Sequence, residues 1–185
     1  MPILVLETIR PKVIMGTETW LHDSVSNCEV FPPGFSVYRK DRNGHGGGVC
    51  LLISSDWSSS ELVFSENDTE SVWCRVVLPK GTTLVFGTFY RPPDSDAYSI
   101  DKLGDLLTTI PDSVFLGGDF NLPGFNWSDE VLATDGPRAY SMFADIISVF
   151  GFEQYVKKPT RENSVLDLIL CNFPGVVSEV TVLPG

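Results

Sequence analysis

The sequence predicts an α+β sandwich, antiparallel hairpins mixed with two or three helices, in a single domain over residues 1–185. Three observations lead there. Short apolar runs recur between turn residues, as in Val49-Cys50-Leu51-Leu52-Ile53 and Thr83-Leu84-Val85-Phe86-Gly87-Thr88-Phe89-Tyr90. Two later stretches, 99–110 and 137–150, repeat their apolar residues at helical spacing. The composition, 43% hydrophobic and 20% charged, is that of an ordinary globular chain long enough for a sizeable core.

The elements follow in order. Residues 2–10 read as the tail of a helix, with Ile3, Leu6 and Ile9 on one face and Pro11 as its stop. Val13-Ile14-Met15 is a short strand that runs into Gly16-Thr17-Glu18-Thr19-Trp20-Leu21. A loop around Cys28 and the turn Phe31-Pro32-Pro33-Gly34-Phe35 lead to a strand at 36–39. The glycines of Asp41-Arg42-Asn43-Gly44-His45-Gly46-Gly47-Gly48 resemble a phosphate cradle. No Lys-Ser/Thr follows them and the next segment is a strand, so a turn into Val49 is the better reading. Residues 54–67 are polar, a loop with a short ragged strand and one aromatic anchor, Trp57.

Strands at 72–78 and 83–90 then form a hairpin across Pro79-Lys80-Gly81-Thr82. A helix at 99–110, capped by Ser99, buries Ile100, Leu103, Leu106, Leu107 and Ile110. The second helix is opened by Pro137, buries Met142, Phe143, Ile146, Ile147 and Phe150, and is closed by Gly151. Two strands end the chain, Val165-Leu166-Asp167-Leu168-Ile169-Leu170 and residues 176–183.

Charge and cysteine usage narrow the function. A net charge of −11 disfavours a protein that grips a nucleic-acid backbone through Lys and Arg, and suits one that gathers divalent cations. The four cysteines show neither CxxC nor zinc spacing; Cys50 and Cys74 lie in apolar strands and read as reduced core residues. No apolar run is long enough to cross a bilayer and the first residues lack a basic n-region. The expectation is an intracellular protein, nuclear or cytoplasmic, with no membrane partner.

The chemistry concentrates at the ends of strands. In Val114-Phe115-Leu116-Gly117-Gly118-Asp119-Phe120-Asn121-Leu122-Pro123-Gly124, strand alternation predicts that Asp119 and Asn121 face one site, while the paired glycines admit a closely approaching backbone or ligand. A carboxylate beside an amide at a strand exit suits hydrolysis: the acid activates water and the amide holds a phosphoryl oxygen. Glu18 ends an earlier strand. Tyr90 and Arg91, ahead of Pro92-Pro93, place a phenol and a guanidinium where a phosphate could be held. Asp167 stands in the middle of an apolar strand, a costly place for an unpartnered acid.

Thr17-Glu18-Thr19-Trp20, Tyr90-Arg91-Pro92-Pro93, Gly117-Gly118-Asp119-Phe120-Asn121 and Leu166-Asp167-Leu168-Ile169 together resemble the endonuclease/exonuclease/phosphatase superfamily. Within it they are similar to the apurinic-type endonuclease domain of non-LTR (LINE-like) retrotransposons, over nearly the whole chain. The resemblance implies a four-layered α/β/β/α sandwich and Mg²⁺- or Mn²⁺-dependent cleavage of DNA phosphodiesters. It implies Glu18 as the metal ligand, Asp119 as the group that orients or deprotonates water, and Asn121 as a phosphate or nucleophile contact. It further implies Tyr90 at a phosphate oxygen, Arg91 near the DNA backbone, and Asp167 as the carboxylate that orients a catalytic histidine.

The family pattern also has a first strand with an Asn and a last strand with Ser-Asp-His, and neither motif is found here. His22 and His45 sit in early loops. The expectation is a sandwich missing a first and a last strand, with weak or no nuclease activity alone. In that reading the domain belongs to a longer polyprotein with a reverse transcriptase. The alternatives are a non-catalytic interaction module of the same fold, or a phosphomonoesterase or phospholipase of the same superfamily.

Overall fold

The computed structural model describes residues 9–42, 45–79, 81–93, 95–125, 127 and 137–183. Nine strands and three helices are placed among them. In chain order they are β1 (Val13–Thr17), α1 (Asn27–Val30), β2 (Phe35–Lys40), β3 (Val49–Ser54), β4 (Ser58–Glu61), β5 (Glu70–Val77) and β6 (Thr83–Tyr90), followed by α2 (Tyr98–Thr108), β7 (Val114–Asp119), α3 (Arg138–Phe150), β8 (Glu153–Gln154) and β9 (Asp167–Cys171). The strands form two sheets, β1-β3-β2 and β4-β5-β6-β7-β9-β8. All pairs are antiparallel except β6–β7, which are joined through α2 and run parallel. The result is an α/β sandwich of two facing sheets, with α2 and α3 packed on the outer face of the large one.

Two apolar clusters hold the layers. Between the sheets, Val49, Leu51 and Ile53 of β3 meet Val72, Cys74 and Phe86 of β5 and β6. On the outer face of the large sheet, Trp73, Val85 and Phe89 are covered by Ile100, Leu103 and Phe143 of α2 and α3. Alternation along β5 explains the division, with Trp73 facing outward and its neighbours Val72 and Cys74 inward. Burial pushes the thiols of Cys50 to about 11 and Cys74 to about 12, so both remain protonated core residues. The edge strand β4 is short and polar, which discourages pairing with another chain. Among the described residues no helix is long and apolar enough to cross a membrane.

Several expectations change. The helix expected over 2–10 lies outside the described residues except for its end, where Ile9 is exposed. Ser99 does not cap α2: its hydroxyl is buried with no hydrogen-bond partner among the described residues. Asp96 comes just before the helix, and its carboxylate accepts the first amide, from Tyr98, at 2.9 Å. The strand expected over 176–183 is not formed, because no ladder partner lies beside these residues among the described ones. Two short elements, α1 and β8, were not foreseen; four and two residues are too few to show a period.

Candidate active site

Register places the polar residues. Glu70 opens β5 opposite Tyr90, which closes β6. Tyr90 lies beside Asp119 at the end of β7, and Asp119 lies opposite Asp167 at the start of β9. Four adjacent strands therefore bring Glu70, Tyr90, Asp119 and Asp167 into one row at one end of the large sheet. Partners in register share a face, and Tyr90 belongs to the cluster between the sheets, so the row looks toward the small sheet. From that sheet Glu18 follows β1 and closes on the row: its Oε1 accepts the Tyr90 hydroxyl at 2.7 Å.

Close strand packing at Gly118 makes the row possible. Its φ is +143°, and a Cβ there would fall 1.9 Å from the Phe89 carbonyl oxygen, so β7 reaches β6 only with glycine at this position. The expected close approach is thus to backbone. Beyond Asp119, Phe120 and Leu122 enter the outer core. The Phe120 ring centroid lies 4.9 Å from that of Phe89 and 5.1 Å from that of Phe143 of α3, both pairs tilted, and the Tyr140 hydroxyl accepts the Gly124 amide at 3.0 Å. The site loop is therefore fastened to α3.

Strand alternation does not position Asn121, because β7 stops at Asp119. Asn121 adopts a left-handed φ of 45°, its amide N–H donates to Asp119 Oδ1 at 3.0 Å, and its Nδ2 donates to the Arg91 carbonyl at 2.7 Å. Arg91 answers with Nη1 to the Asn121 carbonyl at 2.9 Å and Nη2 to the carbonyls of Ser95 and Asp96. Only 6% of Arg91 is exposed. Nη1 and Nη2 thus clamp the β6 and β7 exits through carbonyl oxygens, with little of the guanidinium surface open toward the DNA backbone expected for it.

Asp167 is also corrected. It is exposed at the first position of β9, not buried in mid-strand, and its amide donates to Thr160 Oγ1 at 3.1 Å. It therefore avoids the desolvation penalty expected of it. Glu70 was missed in the sequence. Its Oε2 accepts the Gly48 amide at 2.8 Å and its Oε1 meets Arg42 at 3.0 Å, tying the glycine loop to the row. The only available signal was an acid at the head of a strand, which is too common to single out. His22 and His45 are exposed loop residues, and His22 Nδ1 shares a proton with Ser24 Oγ at 2.7 Å.

Electrostatics follow from this crowding. Burial raises the Asp119 carboxyl above its ordinary value; the Asn121 amide pulls it down, while the charges of Asp167 and Glu18 push it up. Only 3% of Asp119 is exposed. Burial, then the bond to Glu18 and the neighbouring acids, raises the Tyr90 phenol, so it stays protonated and donates. Among the described residues no group of three His, Cys, Asp or Glu side chains stands close enough to enclose a metal ion. The donors nonetheless fit a hard cation of the Mg²⁺ kind, which takes one or two carboxylates and keeps several waters. Glu18 is the exposed carboxylate at the mouth of the row, held in orientation by Tyr90.

Comparison with known proteins agrees with this architecture. The chain is similar to the endonuclease domain of TRAS1, a telomere-specific non-LTR retrotransposon, with a TM-score of 0.67 and 14% identity over 92% of this chain and 77% of that one. It is similar to the human Nocturnin catalytic domain with bound sulfate anion, with a TM-score of 0.64 and 13% identity over 92% and 73%. It also resembles the Xenopus laevis APE2 catalytic domain, with a TM-score of 0.60 and 15% identity over 92% and 76%. At such identities these structures establish the fold. The sequence pattern of the Endonuclease/Exonuclease/phosphatase family matches residues 4–183, and the chain belongs to that family.

Proposed function

We propose that this site hydrolyses DNA phosphodiesters with Mg²⁺ or Mn²⁺, as the nicking domain of a retrotransposon-type protein. The observation that carries the reading is the row Glu70-Tyr90-Asp119-Asp167 at the ends of four neighbouring strands, with Glu18 closing over it. The likeness to the TRAS1 endonuclease domain supports a nucleic-acid substrate. A reverse transcriptase in the same polyprotein is the partner this reading implies.

Each residue then has a task. Glu18 would hold the cation, which when bound neutralises charge on the scissile phosphate. Tyr90 donates to Glu18 and fixes the direction of that carboxylate. Asp119, with its raised carboxyl, is a stronger base than an ordinary aspartate and takes the proton of the attacking water. The Asn121 side chain, locked on Arg91, keeps a second N–H for a phosphate oxygen or the nucleophile. Asp167 stands beside Asp119 as the carboxylate that would orient a catalytic histidine, and the departing oxygen takes its proton from solvent.

Nicking of supercoiled plasmid in Mg²⁺ tests the proposal. Nicking is expected, lost in EDTA and in Asp119→Ala. A folded chain that does not nick in either metal, or nicking that survives Asp119→Ala, would overturn it.

A further inference from the structure

We propose that Trp20 is a stacking platform for a DNA base beside the scissile phosphate, an inference that rests on the nuclease reading. Trp20 is 59% exposed, and its Nε1 lies 3.4 Å from Glu18 Oε2. The other tryptophans belong to the protein's interior: Trp73 is buried in the outer core, while Trp57 and Trp127 pack against the two clusters. Trp20 has no such structural task.

The backbone holds the indole there against local preference. Glu18 and Trp20 have φ values of 51° and 55°, a region that side-chain-bearing residues seldom enter. The conformation is kept by the glycine loop, where the Thr19 amide donates to the Gly48 carbonyl at 3.2 Å and the Trp20 amide to the Gly47 carbonyl at 3.0 Å. The loop approaches so closely that a Cβ on Gly48, itself at φ +85°, would lie 2.5 Å from Thr19 Oγ1. Gly48 is in turn tied to Glu70 at 2.8 Å. The indole is thus built onto the same frame as the carboxylate row.

A base suits this surface. The net charge of −11 leaves little long-range attraction for a polyphosphate, whereas the face of a base is uncharged and stacks on an aromatic ring with little regard to sequence. Stacking of this kind survives salt that weakens ionic contacts.

Binding in EDTA separates the platform from the chemistry. The probe is single-stranded oligothymidylate, titrated into the full chain, Trp20→Ala and Trp20→Phe at low and high salt, with indole emission as a second readout. We expect Trp20→Ala to bind about tenfold more weakly, Trp20→Phe to recover most of that loss, and the ratio of wild type to Trp20→Ala to hold as salt rises. Quenching of indole emission on binding is expected in wild type and absent from Trp20→Phe. Equal affinity of wild type and Trp20→Ala, or a ratio that vanishes with salt, overturns the platform. If that happens while wild type still nicks plasmid, the nuclease reading stands without it; if wild type neither binds nor nicks, both fall. Unchanged melting temperatures of the Trp20 variants confirm that binding, not folding, is read.

Discussion

Asp119 carries the sharpest conflict between burial and charge in the site. Its folded carboxyl is raised above the ordinary 3.8, so its contribution to stability is complete below that value and is lost as pH rises through the folded one. At neutral pH the ionised group therefore opposes folding. Asp119→Asn keeps an acceptor for the Asn121 amide while removing the charge. In EDTA it should melt at a higher temperature than wild type at pH 7, the difference closing as pH falls below 3.8. The same change should lower nicking about 10²- to 10⁴-fold, the usual worth of a general base. A variant less stable than wild type at neutral pH would contradict the assignment. For Tyr90→Phe, loss of a hydrogen bond to a carboxylate, ~1.5–3 kcal/mol, should appear chiefly as weaker cation binding, measured as a higher Mg²⁺ concentration for half-maximal nicking.

At the scale of elements, β6 and β7 are joined by two devices with different signatures. One is Gly118, where the Cβ of alanine would collide with backbone that has nowhere to move. Gly118→Ala should cost more than about 3 kcal/mol, seen as a large drop in denaturation midpoint. The other is Arg91, whose guanidinium links the two strand exits through backbone carbonyls. Arg91→Ala leaves those carbonyls unmatched, and a loss of about 3 kcal/mol is expected. Because the group does not face solvent, the salt dependence of DNA binding should be unchanged. A fall of about 0.9 in the slope of log affinity against log salt is the mark of a phosphate contact, and would show Arg91 reaching DNA after all.

For the whole molecule, the excess of acids sets the response to cations. Salt of any kind should stabilise the chain by screening self-repulsion. Mg²⁺ should do more than NaCl of equal ionic strength, by about 1.4 kcal/mol at ten times its dissociation constant. Glu18→Gln should remove that excess and leave the general effect of salt. Equal stabilisation by the two salts in wild type would argue against a cation site at Glu18.

The sequence by itself determined most of the strands, both long helices and the set of acids and amides at strand ends, because these are local properties. Periodicity marks a buried face, Gly151 stops α3 with a φ of 63°, and a strand exit is flagged by its turn. Tertiary structure decided everything that depends on a partner. Asp119 and Asp167 are 48 residues apart in sequence and become neighbours only through the β7–β9 register, just as Glu70 joins the site only through β5–β6. Arg91 reads as a phosphate ligand along the chain, whereas the fold sets its Nη1 and Nη2 on carbonyl oxygens, and residues 176–183 have a strand's composition without a strand's neighbour among the described residues. Propensity is written along the chain, whereas hydrogen-bond partners, burial and the coupling of charges belong to pairs of residues that only the fold brings together.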